Sequence, residues 1–244
     1  MLACSVGCAD FLDVQPKDKQ SEKQLFATRG GYYTAVNGIY NKMASAALYG
    51  KNLSYELVDV ISKRYQPLSV NTYLMALSTF AYTDNSVETE LSNTWTAAYN
   101  TILNCNVVLE NIDKSEGVLS TVESQGLKGE MLAVRAFLHF DMLRLFGPVY
   151  DDASKTEKSI PYVTNSDSEI SPLLSAEEIL NFVIEDLKVA LDLLKSVDPI
   201  LTEGVRNESN NDGGDNSLYY RQYRMNYYAV KALLARAYAW GHDG

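Results

Sequence analysis

The 244-residue chain has few of the residues that build metal centres, disulfide frameworks and membrane-spanning helices. It holds two histidines, His139 and His242, and neither has metal-ligand spacing to another ligand. The three cysteines are an odd count without metal-ligand spacing, which argues against a disulfide framework. There is no apolar run of roughly 18 residues, so the sequence predicts no membrane-spanning helix. Because the histidines and cysteines lack metal-ligand spacing, it also predicts no metal site.

Positive charge is also scarce. Lys and Arg number 21 against 31 Asp and Glu, which gives a net charge of −10 and a pI of about 4.7. This balance argues against nucleic acid as a partner and against electrostatic docking on anionic lipid. An acidic, solvated surface is its simplest interpretation.

Motifs of nucleophilic and phosphate-binding enzymes are missing too. The sequence has no G-x-S-x-G, Walker or G-x-G-x-x-G motif, although its many Asp and Glu pairs leave a glycosidase pair open. Tyrosine, by contrast, is abundant, with 17 residues against 7 Phe and 2 Trp. A tyrosine offers an apolar face and a hydroxyl together, which suits both core filling and the binding of sugars. Composition does not decide between these two uses.

Helical periodicity dominates the central part of the chain. Trp95, Tyr99, Ile102, Asn106 and Leu109 follow one another at steps of 4, 3, 4 and 3 and predict a helix over about 87–112. A second helix is predicted over about 122–146, where Gly147-Pro148 is a stop signal. The short linker between the two predicts an antiparallel hairpin.

Four further segments complete the predicted architecture. One helix is expected over about 22–48, with Ser21 and Gln24 as its capping box, and one after Ser175, with Glu178 in the same role. A last helix is expected over about 225–240, and residues 160–162 are expected to be extended. We therefore predict an all-α fold of tetratricopeptide-like helical hairpins with long irregular loops, although the repeat consensus of about 34 residues is missing.

The segment from Gly129 to Pro148 is apolar nearly all round, which is typical of a central helix. Arg135, Asp141 and Arg144 interrupt it, and a buried charge needs a partner. Asp141 and Arg144 are three positions apart and can pair on one face, whereas Arg135 needs a carboxylate or carbonyls from elsewhere. We interpret these charges as structural rather than catalytic, and His139 as a satisfied core residue.

The first residues contain two cysteines, Cys4 and Cys8. Small residues precede Cys8, as at a bacterial lipoprotein cleavage site, where the cysteine is acylated; Ser5 stands where an aliphatic residue is usual. Residues 1–8 are therefore interpreted as a clipped signal peptide that ends at the lipidated Cys8, with Cys4 as the other candidate. The alternative is two incidental cysteines at a frayed terminus.

Several blocks resemble one family. Arg135-Ala136-Phe137, Phe140-Asp141 and Arg144 to Pro148 resemble the signature helix of the SusD/RagB family, the outer-membrane nutrient-binding lipoproteins of Bacteroidetes. Further blocks follow the family's order: Cys8 to Asp13, the helix of Trp95, Tyr99 and Asn106, Ile160-Pro161-Tyr162 with the helix after Ser175, and Ala229 to Tyr238.

This resemblance implies a lipid anchor on Cys8 and a location at the outer cell surface. It implies a glycan-binding subunit without enzymatic activity or cofactor, which delivers its ligand to a SusC-like TonB-dependent transporter. Family members are typically about twice as long, so residues 9–244 are expected to be the N-terminal helical part, with the C-terminal half absent. Two hypotheses compete with this one: a protein-interaction scaffold without sugar binding, and a secreted hydrolase.

Residues 64–85 lack clean periodicity, and long irregular segments in compact domains are often functional. Their aromatic faces and planar polar groups suit a sugar ring and its hydroxyls. The candidate ligand residues are Arg64, Tyr65, Tyr73, Tyr82, Asp84 and Asn85. The alternative is that these tyrosines pack the segment onto the helical bundle.

Overall fold

The computed structural model describes residues 21–64, 72–167, 169–206 and 220–242. In these ranges the chain is mostly helical, which confirms the predicted fold class. The elements are α1 (Glu22–Leu25), α2 (Arg29–Met43), α3 (Leu57–Ile61), α4 (Thr72–Ser78), α5 (Asn85–Ile112), α6 (Thr121–Phe146), β1 (Lys158–Pro161), β2 (Leu173–Ser175), α7 (Ala176–Leu194) and α8 (Tyr227–His242), with 3-10 turns at Pro199–Leu201 and Arg221–Tyr223.

Helix α6 lies at the centre of the bundle. It packs against α5, as the short linker predicts, and more extensively against α7, which in turn packs against α8. Its buried positions lie all round the helix rather than on one face, as its apolar composition predicts. Two helical hairpins, α5–α6 and α7–α8, therefore share one core built around α6.

Local capping signals place the helix starts. Ser120 with Glu123 forms a capping box at the start of α6, and Ser175 with Glu178 forms another at the start of α7. The side chain of each serine accepts a hydrogen bond from the N–H of the glutamate, whose carboxylate accepts one from the serine N–H. The predicted apolar face of α7 is buried throughout: Ile179, Val183, Leu187, Ala190 and Leu194.

The single helix predicted over 22–48 is wrong. The first helix, α1, ends at Leu25. Thr28 then caps a separate helix, α2, by accepting a hydrogen bond from the N–H of Gly31 at 3.1 Å. A Cβ atom at Gly31 would lie 1.6 Å from the carbonyl oxygen of Leu25, so the turn between the two helices requires glycine there. Periodicity alone does not reveal this close backbone approach.

Two short strands close the loop after α6. Strand β1 pairs antiparallel with β2, with Ile160 opposite Leu174, and the Ile160 side chain is fully buried. The extended conformation predicted for residues 160–162 is confirmed for Ile160 and Pro161, which end β1, whereas the pairing partner was not predicted. Both strands pack against α7, which fixes this loop on the bundle.

A second, smaller core lies beside the bundle. Leu57, Val60, Leu77 and Val87, from α3, α4 and the start of α5, are fully buried against one another and form what we call the small cluster. Segment 64–85, predicted as irregular, therefore contains a helix, α4, whose apolar face supplies Leu77. Among the described helices, none combines the length and the apolar character that crossing a membrane requires.

Candidate ligand site

Arg135 is held by a buried set of partners, as its position in an apolar helix predicts. Its guanidinium donates to both carboxylate oxygens of Asp186 on α7 at 2.8 Å. It also donates to Oδ1 of Asn106 on α5 at 2.9 Å and to the carbonyl of Thr164 at 3.3 Å. The side chain of Arg135 thus joins three helices and the segment after β1, and its donors are engaged within the fold.

His139 and Tyr162 extend the same structural cluster. The Tyr162 hydroxyl donates to Asp186 at 2.6 Å, and its ring stacks on His139 at 3.9 Å between centroids. Nε2 of His139 accepts from the N–H of Val163, and Nδ1 lies 3.0 Å from the carbonyl of Arg135. Burial lowers the pKa of His139 to about 3, so the ring is neutral near pH 7. Both ring nitrogens have partners, in agreement with a satisfied core residue.

A second buried ionic cluster was not predicted. Arg221 pairs with Glu130 and donates to both oxygens of Asp198 at 3.2 and 3.0 Å. Glu130 also accepts from the Tyr40 hydroxyl at 2.7 Å and lies 3.4 Å from Arg224. The cluster joins α6 to α2 and to the two 3-10 turns that lie between α7 and α8. The available signal was a glutamate at the edge of the apolar run of α6.

The predicted pair of Asp141 and Arg144 is confirmed, with 3.1 Å between Oδ1 and Nη1. Asp141 also lies 3.4 Å from Nη2 of Arg236 and accepts from the Tyr49 hydroxyl at 3.0 Å. Gly147 ends α6 by donating its N–H to the carbonyl of Leu143. Within the Gly129 to Pro148 segment, Asp141, Arg144 and Gly147 thus all have partners inside the fold.

The predicted ligand residues do not all come together. Arg64 follows α3 with its side chain 75% exposed and lies 3.6 Å from Asp59. Asp84 is the N-cap of α5, and hydrogen bonds from the side chain and backbone of Ser86 lower the pKa of its carboxyl. Asn85 is the first residue of that helix. Tyr65 and Cys8 lie outside the described residues.

The two remaining tyrosines have different surroundings. Tyr73, on α4, is partly buried and packs against the small cluster, so its ring has the packing role that the alternative interpretation gave it. Tyr82 is 48% exposed, and its ring lies 6.2 Å from that of Phe80, which is 46% exposed. Of the predicted ligand tyrosines that the structure describes, Tyr82 is therefore the one available to a ligand.

Tyr82 borders a surface groove with a volume of about 330 Å³, which we call the Tyr82 groove. The other lining residues belong to α5 and the end of α6: Glu88, Leu91, Ser92, Trp95, Thr96 and Phe146. The Trp95 ring is held edge-on by Phe146 at 5.1 Å and contacts Tyr99 at 4.6 Å. Trp95 was predicted only as a structural residue, and the structure brings it into one groove with Tyr82.

The groove combines the groups that a sugar site needs. Aromatic rings can cover the apolar face of a pyranose, and the hydroxyls of Ser92 and Thr96 with the carboxylate of Glu88 can bond its hydroxyl groups. Since Phe146 and Tyr99 fix the Trp95 ring, the groove is largely formed before a ligand binds. In the described part of the chain, no group of three or more His, Cys, Asp or Glu side chains could hold a metal ion.

Comparison with known proteins identifies relatives of this chain. The sequence profile of a SusD-like family described as starch-binding and associating with the outer membrane matches residues 10–202. A SusD-like protein of Formosa agariphila is 25% identical over 199 residues, which cover 79% of this chain and 36% of the relative. A SusD-like protein of Bacteroides ovatus is 26% identical over 77% of this chain and 32% of its own length. The chain thus spans about a third of the length of these relatives.

Solved structures share the fold. A SusD superfamily protein of Bacteroides thetaiotaomicron has a TM-score of 0.66 and 22% identity, and the match covers 88% of this chain and 43% of that structure. A protein described as a laminarin-binding SusD-like protein has a TM-score of 0.58 and 14% identity, with 86% of this chain and 40% of that structure covered. At these identities the likeness concerns the fold alone.

Proposed function

This chain belongs to the SusD-like family of starch-binding proteins associated with the outer membrane, and we propose that it captures oligosaccharides at the cell surface and delivers them to a SusC-like TonB-dependent transporter. The observation that carries this proposal is the family match over residues 10–202, joined to a groove lined by aromatic rings. The lipid anchor belongs to the same proposal, with Cys8 as the acylated residue.

The Tyr82 groove is the proposed contact with the glycan. Tyr82 is half exposed and free of the packing that holds Tyr73, so its face is available to a sugar ring. Trp95 adds a second ring in a fixed orientation. A ligand spanning both rings would gain roughly 1 kcal/mol or more from each aromatic contact, beyond the apolar area that it buries. Because a structural neighbour is described as laminarin-binding, laminarin is a first ligand to test.

The groove supports binding rather than hydrolysis. Glycosidases use a pair of carboxylates about 5–10 Å apart. Among the described residues that line the Tyr82 groove, Glu88 is the sole carboxylate. The buried carboxylates Glu130, Asp186 and Asp198 are all bonded to arginines inside the fold. We therefore infer that the chain retains its glycan without cleaving it.

Affinity electrophoresis in gels that contain single polysaccharides tests this proposal. The wild-type chain should be retarded by at least one polysaccharide, and Tyr82→Ala should lose most of that retardation. Tyr228→Ala is the matched control, because Tyr228 is 56% exposed on α8, outside the groove, and should leave retardation unchanged.

Three outcomes would contradict the proposal. Unchanged retardation of a folded Tyr82→Ala variant would exclude this groove as the site. No retardation by any polysaccharide, together with copurification of a membrane protein, would favour the protein-interaction scaffold. Release of reducing sugars from the polysaccharide would favour a hydrolase.

A further inference from the structure

A second groove, with a volume of about 350 Å³, lies between the end of α3, the end of α6 and α8. Asp141, Arg144 and Arg236 form its polar end, and we call it the arginine groove. It shares no lining residue with the Tyr82 groove. The function proposed above does not use it.

The polar end carries more positive than negative charge. Arg144 and Arg236 both approach the same oxygen, Oδ1 of Asp141, at 3.1 and 3.4 Å. The other oxygen accepts from the Tyr49 hydroxyl at 3.0 Å. Two guanidinium groups thus share one carboxylate, which leaves a net positive charge in the groove of a chain whose total charge is −10.

The two arginines are exposed yet held in place. Their side chains are 41% and 45% exposed, whereas that of Asp141 is 11% exposed. Each guanidinium carbon also lies over the ring of the buried Phe140, at 5.8 Å for Arg144 and 5.5 Å for Arg236. Because an arginine has five N–H donors in a planar fork, donors remain for an oxyanion in the groove after the bond to Asp141 is made.

The rest of the groove is aliphatic. Leu53, Val58, Ile61 and Leu145 line it together with the small hydroxyl of Ser62. No aromatic ring belongs to the part of the lining that the structure describes. An aliphatic wall beside two arginines matches an acidic group next to an aliphatic side chain better than it matches a sugar ring.

We propose that the arginine groove binds a peptide segment of a partner protein in which a carboxylate lies beside an aliphatic side chain. The carboxylate would accept hydrogen bonds from Arg144 and Arg236 and compensate the excess charge that Asp141 leaves. The aliphatic side chain would cover Val58, Ile61 and Leu145. Such a contact is charge-assisted and partly exposed, so its affinity falls as salt rises.

Fluorescence anisotropy with the 244-residue chain tests this proposal. The probes are fluorescein-labelled tetrapeptides that alternate Leu or Val with Asp or Glu, and their counterparts with Asn and Gln. The acidic peptides should bind, and the amide counterparts should bind roughly tenfold or more weakly. Arg144→Gln and Arg236→Gln should each weaken the acidic peptides by a similar factor.

Two further variants keep the test interpretable. Arg29→Gln is the matched control, because Arg29 is also 41% exposed and paired with a glutamate, Glu123, outside the groove; it should leave binding unchanged. Ser62→Glu tests the groove while Asp141, Arg144 and Arg236 stay unchanged. Ser62 is exposed and lines the groove, so we expect the new carboxylate to pair with the arginines in place of the peptide. It should abolish binding of the acidic peptides with the fold intact by circular dichroism.

Equal binding of acidic and amide peptides, or no binding of either set, would overturn the proposal. So would Ser62→Glu binding as the wild type does. A titration with sulfated and uronate-containing oligosaccharides covers the other source of an anionic group. If these bind and the arginine variants lose them, the occupant is an acidic glycan and the peptide assignment is wrong.

Discussion

Replacing Arg135 with methionine would remove a buried cation while keeping most of the volume of the side chain. Arg135 is bonded to both oxygens of Asp186 at 2.8 Å, and the exposed fractions of the two side chains are 8% and 14%. Without the guanidinium, the carboxylate of Asp186 keeps the hydrogen bond from the Tyr162 hydroxyl at 2.6 Å but loses its countercharge. Breaking a buried ion pair in this way costs roughly 3–5 kcal/mol.

For a chain of this size each kcal/mol lowers the melting temperature by about 2–4 °C, so Arg135→Met should melt roughly 6–20 °C lower. The double variant Arg135→Met/Asp186→Leu should recover most of this loss, because replacing both charges with apolar groups removes the unpaired carboxylate. Thermal melts followed by circular dichroism, with urea unfolding for the free energies, give the coupling between the two positions.

The control is an exposed pair with a similar contact distance. Lys158 and Glu178 lie 2.7 Å apart, with side chains 57% and 48% exposed. Lys158→Met should cost less than about 1 kcal/mol, because solvent screens such a pair. If Arg135→Met cost no more than Lys158→Met, or if the double variant were no more stable than the single one, the reasoning about the buried charges would be refuted.

Three other variants and treatments have expected outcomes. Gly129→Ala should destabilise the chain by roughly 1–3 kcal/mol in urea unfolding, because a Cβ there would lie 2.9 Å from the Leu194 side chain. A Cβ at Gly126 would meet nothing closer than 3.8 Å, so Gly126→Ala should stabilise the chain by roughly 0.5–1 kcal/mol through its higher helix propensity. The pKa of His139 is about 3 in the fold and near 6.5 in the unfolded chain, so lowering the pH from 7 to 5 protonates this residue only in the unfolded chain. The free energy of unfolding of the wild type should therefore fall by about 2 kcal/mol more than that of His139→Gln over this range, and equal losses would contradict this. Burial raises the pKa of Cys105 to about 12, so iodoacetamide at pH 8 should modify this thiol only in urea, as measured by peptide mass spectrometry; rapid modification of the folded chain would show that the thiol is accessible.

The long helices could be predicted from the sequence because their signals are local. The starts of α6 and α7 are set by Ser120 and Ser175 with a glutamate three positions later, and Gly147 ends α6. Apolar spacing then gives the buried face of α7. Helix α8 has weaker patterning, and the side chain of Tyr228 near its start is 56% exposed.

Partners that are distant in sequence could not be predicted. The pattern around Arg135 shows that it needs an acceptor, but nothing local identifies Asp186, which lies 51 positions later. Glu130 and Arg221 were missed for the same reason, because they meet across 91 positions in a cluster that only the packed helices create. Such pairings depend on how the helices pack together.

The candidate site could be predicted in part. Segment 64–85 was identified by its aromatic residues, and Tyr82 does border a groove. Tyr73 resembles Tyr82 in the sequence, and only the packing of α4 on the small cluster distinguishes the two. Trp95 and Phe146 were predicted only as structural residues, because a helical spacing does not reveal that part of a ring remains exposed.

The most direct test of the account uses the two tryptophans of the chain, Trp95 and Trp240. In Trp240→Phe, Trp95 is the sole indole, and it lies in the Tyr82 groove. Titration of this variant with the polysaccharide that retards the chain should shift the Trp95 emission with a saturable curve, and adding Tyr82→Ala should weaken that curve about tenfold or more. Retention of the polysaccharide without any change in Trp95 emission, or an unchanged curve in the double variant, would contradict the claim that this groove binds the glycan.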